Sequence, residues 1–303
     1  MRKLGLGATT LLIWVGFVAS PAWATFPGAN GRIVFLRGSS PQIFTMAPDG
    51  SDVRQLTSFA RATTFDPAWS PNGGTIAFAK VPHTDHPSSI WTMSADGSNQ
   101  ARLHGNRWFF YESPSYSPDG STIVFSRCYP DFSKCDLQTM NSDGTGVATV
   151  TAFGIEVYDL SARYSPDGTQ IVFASFGRDG VQGAVYVMDA DGSNIQQVTV
   201  AGLGAFTPDW APDGSRIAFT THCCDPRSAA IYSADPDGSN LTKLTDPGDS
   251  HDFSPSWSPA GDAIVFERDT PDFGRFDTWI MAPDGTGARL LKKNAFEAVW
   301  GPA

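Results

Sequence analysis

Basic residues are in short supply. The 303-residue chain has 21 Lys and Arg against 31 Asp and Glu, for a formal net charge of −10. A surface of that sign repels nucleic acid and anionic lipid, so neither is an expected partner. Cysteine is scarce as well: four residues, with no Cys-x-x-Cys and no Cys/His ligand spacing, which excludes a zinc finger or a redox motif. Helical periodicity is missing throughout. Beyond about residue 18 no stretch is long and apolar enough to span a bilayer. Common catalytic signatures are also lacking: no Gly-x-Ser-x-Gly, no His-Glu-x-x-His, no phosphate loop. Asp272-Phe273-Gly274 stands without the rest of a kinase signature. Asp189–Asn194 lacks the twelve-residue frame and closing Glu of a calcium loop, and a hairpin turn explains it better.

The first residues have a clear composition. Met1-Arg2-Lys3 precedes an apolar run from Leu4 to about Val18, then Ala22-Trp23-Ala24. A basic start, a short apolar core and a small-x-small site read as a secretory signal peptide, residues 1–24, cleaved after Ala24. The remaining 279 residues, with a net charge of −12 once Arg2 and Lys3 are removed, would then be secreted or periplasmic. That compartment is oxidising and suits disulfides. Cys128 and Cys135 lie in one short connection and are the expected pair; Cys223 and Cys224 are adjacent, either bonded to each other or free.

A period organises everything after the leader. Asp-Gly pairs at Asp49, Asp96, Asp143, Asp191, Asp237 and Asp284 are spaced by 47, 47, 48, 46 and 47 residues. Before each of the later pairs comes an aromatic residue leading into a turn such as Ser-Pro-Asp-Gly, then Ile-Val-Phe or a close variant. The aromatic starts are Trp69, Tyr116, Tyr164, Trp210, Trp257 and Trp300; the ends are Phe35, Phe78, Phe125, Phe173, Phe219 and Phe266. Pro presets φ, Asp bonds its own backbone and Gly accepts positive φ, so these are turns between strands. An Asp-Gly-Ser/Thr hairpin and a short fourth strand, x-x-Leu/Val-Thr as in Arg54-Gln55-Leu56-Thr57 and Lys243-Leu244-Thr245, complete the repeat. A period in this range means a repeat architecture. The expectation is all-β: a six-bladed β-propeller of four-stranded blades occupying residues 25–303, with almost nothing left for a second domain. The first copy starts at its second strand, and the missing first strand appears at the other end as Glu297–Pro302, so the C-terminal strand is expected to pair into the first blade and close the ring.

The run Pro-x-Trp-Ser-Pro-Asp-Gly-x-x-Ile-x-Phe, followed by Met/Ser-x-x-Asp-Gly-Ser-Asn and Leu-Thr, resembles the WD-like repeat of the TolB propeller family across essentially the whole mature chain. The resemblance extends to the propeller part alone, since Ala24 leads straight into the first blade and leaves no room for the α/β domain that precedes the propeller in TolB. It implies an envelope protein that binds a lipoprotein partner at the propeller channel.

Strand order puts the two regular turns on one face, and the irregular connections on the other, where a site belongs. Asp66, Glu112, Asp159, Asp252 and Glu297 fall where first strands begin and are expected to ring the channel mouth; Arg37, Lys80, Arg127 and Arg268 sit near the ends of second strands. In a hairpin these positions lie roughly opposite, giving Asp66 with Lys80, Glu112 with Arg127, Asp252 with Arg268 and Glu297 with Arg37. These are either cross-strand ion pairs or a charged mouth that holds a cation or a partner's basic side chain. Carboxylates at such a mouth suit Ca²⁺, with Asp66, Glu112 and Asp252 as the candidate ligands. Two loops repeat at an offset of 141 residues, around Phe132 and Phe273; each Phe is either an exposed aromatic contact or a plug for its own loop. His83, His86, His104, His222 and His251 read as surface residues on this face. The functional expectation is a monomeric, non-enzymatic module binding an envelope or extracellular protein or polymer. The alternative is a metal-assisted lyase or hydrolase acting on carbohydrate or ester through Asp and His at the same mouth.

Overall fold

A computed structural model of the chain describes residues 26–84, 87–131, 133–151, 156–178, 183–200, 202–221, 229–269 and 275–303. The leader, His86, Phe132, His222, Cys223, Cys224 and Phe273 lie outside the described residues. The fold is all-β and propeller-like, with no α-helix among the described residues.

Strands follow the repeat. The first unit holds β1 (Asn30–Arg37), β2 (Gln42–Met46) and β3 (Arg54–Gln55). The second holds β4 (Ala62–Trp69), β5 (Thr75–Pro82), β6 (Ser89–Ser94) and β7 (Ala101–His104). The third holds β8 (Phe110–Tyr116), β9 (Thr122–Cys128), β10 (Cys135–Asn141) and β11 (Ala148–Thr149). The fourth holds β12 (Tyr158–Tyr164), β13 (Gln170–Phe176), β14 (Ala184–Asp189) and β15 (Gln196–Gln197). The fifth holds β16 (Ala205–Trp210), β17 (Ile217–Thr221), β18 (Ala230–Ala234) and β19 (Thr242–Lys243). The sixth holds β20 (Asp252–Trp257), β21 (Ile264–Asp269), β22 (Phe276–Met281) and β23 (Arg289–Lys292), and β24 (Phe296–Pro302) follows it.

Within each unit the strands pair antiparallel in chain order. The third and fourth units join into one eight-stranded sheet through a parallel bridge between Cys135 and Tyr158. The expected pairing of the two chain ends is present: β24 runs antiparallel to β1, with Ile33 opposite Trp300 and Val34 opposite Val299.

The apolar run of each second strand has a physical cause. Both faces of these sheets are covered, so alternate residues pack in opposite directions. Phe35, Phe78, Phe125, Phe173, Phe219 and Phe266 are fully buried. The core is divided into clusters, each between consecutive units: Val172 and Val185 of the fourth meet Trp210 and Phe219 of the fifth, and Val265 of the sixth meets Ile33 and Phe35 of the first. First strands touch in cyclic order, β4 with β8, β8 with β12, β12 with β16, β16 with β20, β20 with β24 and β24 with β4.

The Leu/Val-Thr motif also acquires a reason. The hydroxyls of Thr57, Thr151, Thr199 and Thr245 accept the N–H of Ile43, Leu137, Val185 and Ile231 at 2.9–3.0 Å. Each ties the outermost strand to the start of the third. The second and sixth units lack that Thr, and there the outer strands β7 and β23 run four residues instead of two. Glycine is required at the Asp-Gly hairpins: Gly97 has φ +87°, and a Cβ there would stand 2.7 Å from the Leu56 carbonyl oxygen of the preceding unit.

Candidate functional site

Each first strand carries one non-glycine residue of positive φ, three positions before its aromatic end. These are Asp66 (50°), Ser113 (53°), Ser161 (54°), Thr207 (47°), Ser254 (50°) and Glu297 (47°). Left-handed backbone at a non-glycine residue is uncommon, and it coincides here with a break in register against the second strand, for example between Phe65 and Ala68 and between Glu112 and Ser115. A bulge of this kind bends the strand and re-aims side chains.

Several of the freed amides are satisfied by side chains of the preceding unit. The N–H of Asp66 donates to Glu297 Oε2 at 2.6 Å. The N–H and hydroxyl of Ser113 both donate to Asp66 Oδ2, at 2.9 and 3.1 Å. The N–H of Glu297 donates to Glu267 Oε1 at 2.6 Å, and that of Ser254 to Thr220 Oγ1 at 3.1 Å. A cavity of about 80 Å³ lies among five of the first strands, lined by Asp66, Ser161, Arg163, Thr207, Asp209, Ser254 and Glu297 with their neighbours.

This belt gathers carboxyl groups. Burial first, then repulsion from Asp66, pushes Glu112 up to about 7. Glu267 is also raised to about 7, chiefly by burial, although it accepts hydrogen bonds from the Glu297 N–H and the Ser254 side chain. Glu297 is held well above the usual carboxylate range by burial and by the charges of Asp66, Glu267 and Glu112. Burial raises Asp209 to about 6 against the opposing pull of Arg163. Among the described residues, none of Asp66, Glu112, Glu267 and Glu297 forms an ion pair.

Of the five expected mouth carboxylates, three meet here and two do not. Asp66 and Glu297 stand three residues before their aromatics and Glu112 four, at or beside the bulge, whereas Asp159 and Asp252 stand five before, beyond it, directly opposite Ser175 and Arg268. Asp252 forms the expected pair with Arg268, at 2.6 and 2.8 Å. Asp159 is taken by Arg178 at 2.9 and 2.8 Å and by the Ser175 hydroxyl. The other three expected pairs are absent, because Asp66 and Glu297 are themselves the bulge residues and Glu112 adjoins one, so none stands opposite its expected base. Tyr111, not Glu112, lies opposite Arg127, and Arg127 binds Asp136 at 2.6 Å. Thr64, not Asp66, lies opposite Lys80, whose ammonium sits 3.6 and 3.8 Å from the ring centres of Phe59 and Trp91. Arg37 donates to the carbonyls of Asn294 and Lys293.

The Ca²⁺ set Asp66, Glu112 and Asp252 is thus not assembled, and among the described residues no three His, Cys, Asp or Glu side chains are placed to hold a metal ion. The Cys128–Cys135 disulfide is formed, joining directly opposed residues of β9 and β10. His83 is exposed, and His104 stacks edge-on to Tyr111. His251 departs from the expected surface position: it is buried, with Nδ1 3.0 Å from Asp269 Oδ2.

Glu267 and Asp209 were not singled out by sequence. A signal existed for the first. The residue after the second-strand Phe is Leu36, Ala79, Ser126, Ala174 or Thr220 in the other units and Glu only at Glu267. A lone carboxyl at a core position of a repeat marks a special environment.

Residues 113–303 match the family described as the TolB beta propeller domain. No curated protein matches the chain. Among solved structures, TolB from Acinetobacter baumannii aligns with a TM-score of 0.76 and 23% identity, over 90% of this chain and 67% of that one. A protein assigned as TolB from Agrobacterium tumefaciens aligns at 0.67 and 20% identity, over 90% and 93%. An oligogalacturonate lyase in complex with manganese aligns at 0.60 and 15% identity, over 89% and 77%. Likenesses of this degree speak to the fold.

Proposed function

The chain belongs to the TolB β-propeller family, and from that premise we propose that it is an exported six-bladed propeller that binds a protein or polymer through a cationic group seated at its axial mouth. Six blades and a closed ring are supported by the cyclic contacts of the first strands and by the β24–β1 pair. Export is supported by the leader-like composition of residues 1–24 and by the disulfide.

One observation carries the binding reading. Asp66, Glu112, Glu267 and Glu297 come from neighbouring units close enough to repel one another, and none of them forms an ion pair among the described residues. Burying unpaired charge is costly, and a folded chain has little reason to concentrate it unless something else neutralises it. A lysine or arginine side chain, or an amine on a polymer, supplies the missing charge and hydrogen-bond donors. The test is capture from an envelope extract by the wild-type protein beside Asp66→Asn/Glu297→Gln, both checked for folding. A partner held by the first and lost by the second is expected; equal retention by both contradicts the axial assignment.

A second reading, a metal-assisted lyase or hydrolase, has one observation in its favour. The His251–Asp269 pair orients an imidazole as proton-transfer sites do. A screen of uronate and ester substrates with divalent cations tests it, and activity abolished by His251→Gln supports it.

A further inference from the structure

A groove of about 510 Å³ lies away from the axis, over one face of the second unit's sheet. Alternate residues of a strand share a face, and here Lys80 of β5, Trp91 of β6 and Arg102 of β7 do so, with Arg107 from the following loop completing the wall. Lys80 is sandwiched by Phe59 and Trp91. Arg107 lies 4.5 Å from the ring centre of Trp108, which is 59% exposed. Asn106 shapes this loop: its Oδ1 accepts the N–H of Trp108 at 2.8 Å and its Nδ2 donates to Tyr111 at 2.7 Å.

The groove inverts the character of the molecule. A chain with ten more acidic than basic side chains gathers three cations here, and none of Lys80, Arg102 and Arg107 forms an ion pair among the described residues. The exposed indole of Trp108 beside the Arg107 guanidinium offers a flat apolar face next to positive charge. The complementary molecule has carboxylates to receive the arginines and flat apolar faces to lie on indole. The β6 backbone is already committed to its neighbours on both sides, so the floor of the groove offers an extended peptide few main-chain partners. An acidic sugar needs none, since each residue of it carries its own carboxylate, hydroxyls and apolar ring face.

We infer that this groove is a binding site for an acidic oligosaccharide of the uronic-acid class, with Arg102 and Arg107 engaging carboxylates at its wall and Trp108, beside Arg107 at the rim and outside the lining, stacking on a sugar ring. The site is separate from the axial mouth and stands whether or not the axial reading holds.

Calorimetric titration of the wild-type protein with a short oligouronate tests this, with the corresponding neutral oligosaccharide and a polyglutamate peptide beside it. Saturable binding of the oligouronate alone is expected. Arg102→Ala/Arg107→Ala and, separately, Trp108→Ala are each expected to weaken it by about tenfold or more. All three changed residues are exposed, and an unchanged unfolding midpoint verifies each variant. The Asp66→Asn/Glu297→Gln protein is expected to bind the oligouronate as wild type does, which separates this site from the axial one. No binding of the oligouronate, equal binding of polyglutamate, or affinity indifferent to these substitutions overturns the proposal.

Discussion

The backbone N–H of Asp66 donates to the Glu297 carboxylate at 2.6 Å, joining residues 231 apart in sequence where the last strand meets the second unit. The Asp66 carboxylate then accepts from Ser113 in the next unit. Glu297→Ala removes the acceptor and leaves a half-buried amide unpaired, at an expected cost of about 1–3 kcal/mol. Glu297→Gln keeps an acceptor and removes a charge repelled by its neighbours, so its stability near neutral pH is expected to equal or exceed that of wild type. Denaturant unfolding of the two variants checks the contrast.

The same carboxyl groups set a pH dependence. Glu112 and Glu267 are raised by burial to about 7, and Glu297 lies well above 4.5. A carboxyl with a raised folded pKa holds more protons folded than unfolded, so its contribution to stability falls as pH rises. The loss begins near the unfolded value of about 4.5 and, for Glu112 and Glu267, is complete above about 7. The thermal midpoint is therefore expected to be lower at about pH 8 than at about pH 5. Glu112→Gln/Glu267→Gln is expected to flatten the difference, and a wild-type midpoint that rises over this window contradicts the cluster.

Arg268 and Asp252 behave differently. Asp252 is fully buried and bound through two hydrogen bonds to Arg268. Arg268→Ala strands a buried charge and is expected to cost about 3–5 kcal/mol, whereas replacing both residues by apolar ones costs much less. Equilibrium unfolding of the single and double variants measures it.

The Cys128–Cys135 bond closes a short loop, seven residues apart in sequence. Chain entropy then predicts a loss of about 2–2.5 kcal/mol in Cys128→Ala/Cys135→Ala. A reducing agent is expected to lower the wild-type midpoint and leave this variant's unchanged, and equal midpoints for the two proteins before reduction would contradict it.

What the sequence reveals and what it hides divide along one physical line. Turn chemistry and period-two burial are local, so the aromatic ends of first strands, the buried Phe of second strands and the disulfide could be read directly. The Asp252–Arg268 pair is legible because Asp252 lies two residues before the bulge at Ser254, where the strands are again paired residue by residue. The partners expected for Asp66, Glu112 and Glu297 are not the ones the structure shows, because each residue sits at or beside a positive-φ bulge that a propensity reading does not see. Asp159, expected in the same ring, is bound instead by Arg178, a residue outside the repeat pattern. Glu267 reaches the Glu297 amide from a second strand, a placement that depends on how neighbouring units stack.

The most direct test of axial binding is site-specific photocrosslinking in an envelope extract, with the probe placed at Thr207, on the cavity wall, or at Asp119, in a turn far along the chain from it. The account predicts one partner cross-linked from Thr207 and not from Asp119. Its yield should rise as pH increases through about 7, while Glu112 and Glu267 lose their protons, and should fall in Asp66→Asn/Glu297→Gln. Cross-linking from Asp119 alone, or a yield at Thr207 indifferent to pH and to the carboxyl substitutions, would contradict it.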